Sequence, residues 1–271
     1  MTHKILPFCL FFLLLSSCTH RLKIPHSPQG VAPITGNAFY KQAAAYNWQQ
    51  RDSLFLDYFS TGSIPSHFFQ FVPINVAHTD SNGKSHKIVF YCSPDYAMIG
   101  TSSDWARVPL TPMAAQVLAD SLKGFLPTRR MVDLIYQQSQ VKLEPVPMYA
   151  FRDSTVTMWQ HHLIIEGQRA GRKGLISGIK KDVVICSDSS LKGRTNRVAI
   201  YGWHKLDGRP IQPLYTGHVN WYADYSHGIR LIYRKIKVDG KWMDYENFFR
   251  DPLLSPALFD EAGQLRLRSD F

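Results

Sequence analysis

The sequence predicts one α+β domain with a mixed or mainly antiparallel sheet and helices drawn mostly from the N-terminal half. Three observations carry this reading. Apolar residues recur at helical spacing in four stretches before residue 170. From Gly174 onward, short apolar runs separated by polar turns replace them. Two hairpin-type turns, Asp80-Ser81-Asn82-Gly83-Lys84 and Val238-Asp239-Gly240-Lys241, join strand-like runs and favour antiparallel neighbours.

The chain opens with an export signal. Lys4 supplies a positive start, and residues 5–15 are an almost unbroken apolar run. That run is too short for a bilayer span, which takes about 20 residues, but it fits the hydrophobic region of a signal peptide. Leu15-Ser16-Ser17-Cys18 then reads as a lipobox, with small residues before a cysteine whose thiol takes the lipid. Residues 1–17 are therefore expected to be removed. Residues 18–35 carry the lipid on Cys18 and a polar, Pro-containing tether, and residues 36–271 form the globular domain.

Within the domain, residues 37–60 have helical spacing, with Ala43, Ala44, Trp48, Leu54 and Phe55 on one side. Residues 68–77 and 87–99 read as strands, the second interrupted at Ser93-Pro94-Asp95 by a bulge or break. Thr111 and Pro112 begin a second helix as cap and first residue, and Gly124 stops it. A third starts at Thr128, with Met131, Leu134 and Ile135 on one face, and a fourth covers residues 153–168. Residues 175–186, 197–204, 227–238 and 241–249 read as strands.

The net charge of +10 suits anionic lipid, phosphorylated glycan or peptidoglycan carboxylates. The export signal, the scattered basic residues and the lack of a nucleic-acid-binding motif exclude nucleic acid as a partner. Of four cysteines, Cys9 lies in the signal and Cys18 takes the lipid. Cys92 and Cys186 remain, and either a disulfide or two buried thiols fits them.

Polar, titratable and aromatic residues are densest over residues 180–234. His204 ends an apolar strand, and the run GHVNWYADYSHGIRLIYR carries His218, Trp221, Tyr222, Asp224, Tyr225, His227 and Arg230. Histidine exchanges protons near neutrality, so His204 and His227, oriented by Asp224, are the candidate catalytic groups. His218, Trp221, Tyr225 and Arg230 are candidate substrate contacts, the aromatics for sugar faces and Arg230 for an anion. Arg129, at a helix start, is a further anion contact. Ser226 and His227 are adjacent and point to opposite strand faces, which argues against a nucleophile–base pair. His161, His162 and Glu166 read as a surface pair. No cofactor is expected; a metal remains an alternative, since His204, His218 and His227 could supply further nitrogens, but HExxH and any compact ligand cluster of known spacing are absent.

Several stretches, including FYCSPDYAMIG, LPTRRMVDLIYQQ, GIKKDVVI and RVAIYGWHKLDGRPIQPL, resemble a family of uncharacterised secreted or lipid-anchored bacterial proteins. The resemblance spans roughly residues 50–232 and implies one domain outside the cytoplasm, with no activity attached. Locally, Ser226-His227-Gly228-Ile229-Arg230 is similar to the SHGC-x-R core of L,D-transpeptidases, with His204 upstream. The cysteine that family uses falls between Gly228 and Ile229 and is missing, so its acyl transfer through a thiol is not implied.

The expectation is a lipid-anchored envelope protein, facing away from the cytoplasm, that hydrolyses cell-wall or polysaccharide material by His/Asp acid–base chemistry. The alternative is a non-catalytic module that binds peptidoglycan or glycan through the same surface.

Overall fold

The computed structural model describes residues 21–25 and 32–268. The expected signal peptide, the expected lipidation site Cys18 and part of the expected tether lie outside the described residues. The rest of the tether is not all linker. β1 (Leu22–Lys23) pairs antiparallel with Phe71 and Gln70, and Ile24 beside it is 4% exposed. Burying one such side chain contributes roughly 1.5–3 kcal/mol, enough to dock a short strand at a sheet edge.

The single helix expected over residues 37–60 is two. α1 (Gly36–Gln42) is capped by Thr35, and α2 (Trp48–Ser60) by Asn47, whose side chain trades hydrogen bonds with Gln50 in a reciprocal capping box. The box starts a new helix in the middle of the periodic run. Phe39, Tyr40, Ala43, Phe55 and Phe59 are buried, whereas Ala44 is exposed.

β2 (Gln70–Thr79) and β3 (Ser85–Cys92) form the expected hairpin. Asp80 shapes its turn by accepting the Asn82 and Lys84 amides. The chain breaks at Ser93-Pro94-Asp95 and resumes as β4 (Met98–Gly100), which pairs with β5 (Trp105–Arg107). α3 (Pro112–Ser121) starts on Thr111 and Pro112 as read. After β6 (Gly124–Phe125), α4 (Arg129–Gln138) is capped by Thr128. β7 (Val141–Lys142) precedes α5 (Thr155–Arg169), capped by Ser154.

The second half holds β8 (Ile176–Ser177), β9 (Lys181–Val183), α6 (Asp188–Leu191), β10 (Ile200–His204), β11 (Pro210–Tyr215) and β12 (His227–Gly228). β13 (Ile232–Tyr233), β14 (Lys235–Val238) and β15 (Lys241–Asp244) follow. The last strand-like run ends early. Asp244 accepts the Glu246 amide and caps α7 (Tyr245–Arg250), a local bond that overrides the β propensity of the aromatics.

Two main sheets result. The larger runs β1-β2-β3-β13-β6, with β14 also on β3 and β15 on β14. The smaller runs β11-β10-β9-β12, and its β9–β12 pair is parallel. The architecture is α+β. The main core joins the larger sheet to α1, α2 and α3 through Phe39, Phe55, Phe71, Phe90 and Phe125, all essentially unexposed. α4 bridges the sheets: Gln138 bonds the Asn75 backbone on β2, and Asp133 accepts the Tyr201 hydroxyl on β10. Cys92 and Cys186 are free thiols in different apolar clusters. Burial pushes each up to about 12, so the open question resolves to two inert thiols. Among the described residues, no helix is long and apolar enough to cross a membrane.

Candidate functional site

β9 and β12 run side by side and set His227 opposite Lys181. Three residues earlier, Asp224 sits in a turn. Its Oδ1 accepts the Ser226 amide at 2.8 Å and the Ser226 hydroxyl at 2.5 Å. Its Oδ2 accepts Arg152 at 3.0 Å and the Tyr222 hydroxyl at 3.3 Å. His227 Nε2 lies 3.9 Å from Asp224 Oδ1. The His218 ring is 6.1 Å from the His227 ring, and Tyr222 packs on both at 4.7 and 5.9 Å. Ser226 is spent on Asp224 and not on His227, in line with their opposed strand faces.

Electrostatics separates the two central groups. Burial works against ionisation of Asp224, but His227, the Ser226 donors and Lys181 outweigh it and hold the carboxyl at about 2. Burial pushes the His227 imidazole down to about 4, against the pull of Asp224. At neutral pH the pair is therefore a carboxylate beside a neutral imidazole. Burial also lowers His218, which is part-exposed at the mouth of the cluster.

His227 is 1% exposed, and neither of its ring nitrogens has a hydrogen-bond partner among the described residues. Trp203 Nε1, close by on β10 under Lys181, is in the same state. Each such group costs about 1–3 kcal/mol unless something satisfies it. A neutral imidazole offers one donor and one acceptor. Both are free to bond a water or another polar group that enters the cluster.

A groove of about 440 Å³ adjoins the cluster through Tyr222. Tyr46, Trp48 and Trp221 line it together with Asp153 and Ser154. Trp221 is 46% exposed, so its face is available for stacking.

The other sequence candidates fall elsewhere. His204 is not part of the cluster. Its Nε2 bonds Asp133 on α4 at 2.8 Å, because the β10 backbone turns it toward that helix. Arg230 is 1% exposed and fastens the core by donating to the Ser93 and Ile176 carbonyls over the Tyr96 ring. Tyr225 is likewise buried, its hydroxyl accepting the Met148 amide. Neither is placed to touch substrate. Arg129 pairs with Asp260 at 2.8 Å and ties down the C-terminal segment. His161 and His162 are buried rather than on the surface, with His161 against Lys180 and Glu166 pairing with Arg107 and Arg169. Asp95 is buried and grips Arg107 through two bonds of 2.7 Å.

Sequence reasoning missed Arg152, which reaches the site from the loop before α5 and has no periodic signal. Lys181, also at the site, lies in the run GIKKDVVI, whose basic residues carry no spacing signal. Three of the named residues, His218, Asp224 and His227, do come together, and Trp221 lies in the adjoining groove. No family model, curated protein or solved structure matches this chain.

Proposed function

We propose that this chain is an envelope lipoprotein that hydrolyses cell-wall or polysaccharide material, with His227 as the acid–base group. The observation that carries the reading is the buried, neutral, unpartnered His227 imidazole against the Asp224 carboxylate, one tyrosine away from an aromatic groove. The polymer lies across Trp221 and Trp48. A water gives its proton to His227 and its oxygen to the scissile carbon, and the imidazolium returns the proton to the departing oxygen or nitrogen. Asp224 stabilises the imidazolium while it exists. Arg152 and the Ser226 donors keep Asp224 ionised throughout. The stretch similar to the L,D-transpeptidase core has no thiol here, which leaves water as the nucleophile. A lipid on Cys18 holds the domain at a membrane surface, within reach of envelope polymers.

One observation favours the alternative of a non-catalytic binding module: Asp224 and His227 are each 1% exposed, while Trp221 is open to solvent. Incubating the full chain in detergent with purified peptidoglycan separates the two. Hydrolysis releases soluble fragments that a His227→Ala variant does not release. Binding alone leaves both proteins sedimenting with undigested polymer. Loss of sedimentation in Trp221→Ala is expected under either reading.

A further inference from the structure

The smaller sheet carries a second groove, of about 510 Å³, on the α4 side. Its floor starts from an irregular strand. Tyr201 and His204 are three residues apart and would face opposite sides of a regular strand. Gly202 and Trp203 both have positive φ, 104° and 57°, and the register to β11 shifts between Ile200 and Gly202. This bulge brings both side chains to one helix residue. Asp133 accepts His204 Nε2 at 2.8 Å and the Tyr201 hydroxyl at 2.9 Å. A left-handed, non-glycine Trp203 is strained, so the fold sustains strain to assemble this trio.

Charge along the groove is separated. Asp133 stands at one end, its side chain 35% exposed. The His204 ring, itself 3% exposed, stacks on Tyr136 at 4.5 Å, and Lys142 Nζ sits 4.8 Å from the same Tyr136 ring. Lys142 makes one weak bond, to the Gln137 carbonyl at 3.3 Å, and no ion pair with Asp133. Asp207 on the rim is taken up by Arg209 at 2.7 Å. The exposed Leu206 and the half-buried Pro210 add an apolar wall. An anion and a cation held apart across an aromatic shelf complement a ligand with the reverse polarity.

We infer that this groove binds a short zwitterionic peptide, with its ammonium on Asp133, its carboxylate on Lys142 and its backbone over Tyr136. The path from the His204 ring, which Asp133 holds, over Tyr136 to Lys142 Nζ takes two packing steps of 4.5 and 4.8 Å. An extended chain advances roughly 3.4 Å per residue, so two or three residues span them. The site is independent of the His227 cluster and does not rest on the hydrolase reading.

Isothermal titration of the full chain in detergent with tri-L-alanine tests this. The free tripeptide binds, and acetylating its amine or amidating its carboxylate each weakens binding tenfold or more. Asp133→Asn removes the sensitivity to acetylation, and Lys142→Ala removes the sensitivity to amidation, as expected when each pair acts as a unit. Lys142 is half-buried and its side chain makes no ion pair, so its variant folds even if Asp133→Asn disturbs α4, and the blocked peptides need no variant. Equal binding of free and doubly blocked tripeptide, or no binding of the free one at millimolar concentration, overturns the inference.

Discussion

Replacing Asp224 with asparagine keeps the shape of the side chain and removes the charge that His227, Ser226, Lys181 and Arg152 surround. The magnitude follows from its titration. A carboxyl at about 2 in the folded protein, against 3.8 for the free group, holds at most about 2 kcal/mol of stability at neutral pH, at 1.36 kcal/mol per tenfold change, because the His227 imidazolium that helps depress it is neutral at pH 7. Because the folded value is depressed, that stability is fully present above pH 3.8 and is lost as pH falls toward 2. Other carboxylates titrate in both proteins and cancel in the difference, while His227, pushed down to about 4 and coupled to Asp224, adds its own change within the same range. Urea unfolding followed by circular dichroism, run at pH 7 and stepwise down to pH 2, is the assay. Asp224→Asn is expected to be up to about 2 kcal/mol less stable than the parent at pH 7, with the gap closing toward zero at pH 2. A gap that stays constant across that range, or no gap at pH 7, refutes the claim that Asp224 is a buried, stabilised carboxylate.

Three further outcomes are expected. His227→Leu removes two unpartnered buried nitrogens, so thermal unfolding should show stability unchanged or raised by up to about 2 kcal/mol while polymer release is lost; a large destabilisation would mean the imidazole is structurally engaged. Arg107→Met strands Asp95 in the core and should cost about 3–5 kcal/mol, whereas the double variant Asp95→Asn, Arg107→Met should recover most of it, as read by denaturant midpoints. Gly228→Ala places a Cβ 2.5 Å from Tyr96 and 2.7 Å from Lys180 side-chain atoms, so the purified variant should show a lowered Tm without any new chemistry at the site.

Local rules carried much of the fold. Thr111 with Pro112, Thr128, the Asp80 turn and the Asp239-Gly240 turn all act within a few residues, and each appears where the sequence signals it. The break before α2 escaped because the capping box of Asn47 and Gln50 lies inside an unbroken apolar period. The end of β15 escaped for the same kind of reason at Asp244. The cluster of His218, Asp224 and His227 was legible because one turn and one short strand hold it. His204 was misplaced because its partner, Asp133, is 71 residues away, and no spacing rule reaches that far. Arg230 and Tyr225 look like ligand contacts in one dimension. Only the packing of Ser93, Ile176 and Met148 around them shows that their polar atoms are consumed internally.

The central claim is that an idle, neutral His227 beside Asp224 performs hydrolysis on an envelope polymer. Its most direct test is the release of soluble fragments from purified peptidoglycan by the full chain and by folded His227→Ala. The account predicts fragments from the parent and none from the variant, with both proteins still bound to the polymer through Trp221. Identical, undigested polymer in both reactions, or equal release by both, would contradict it.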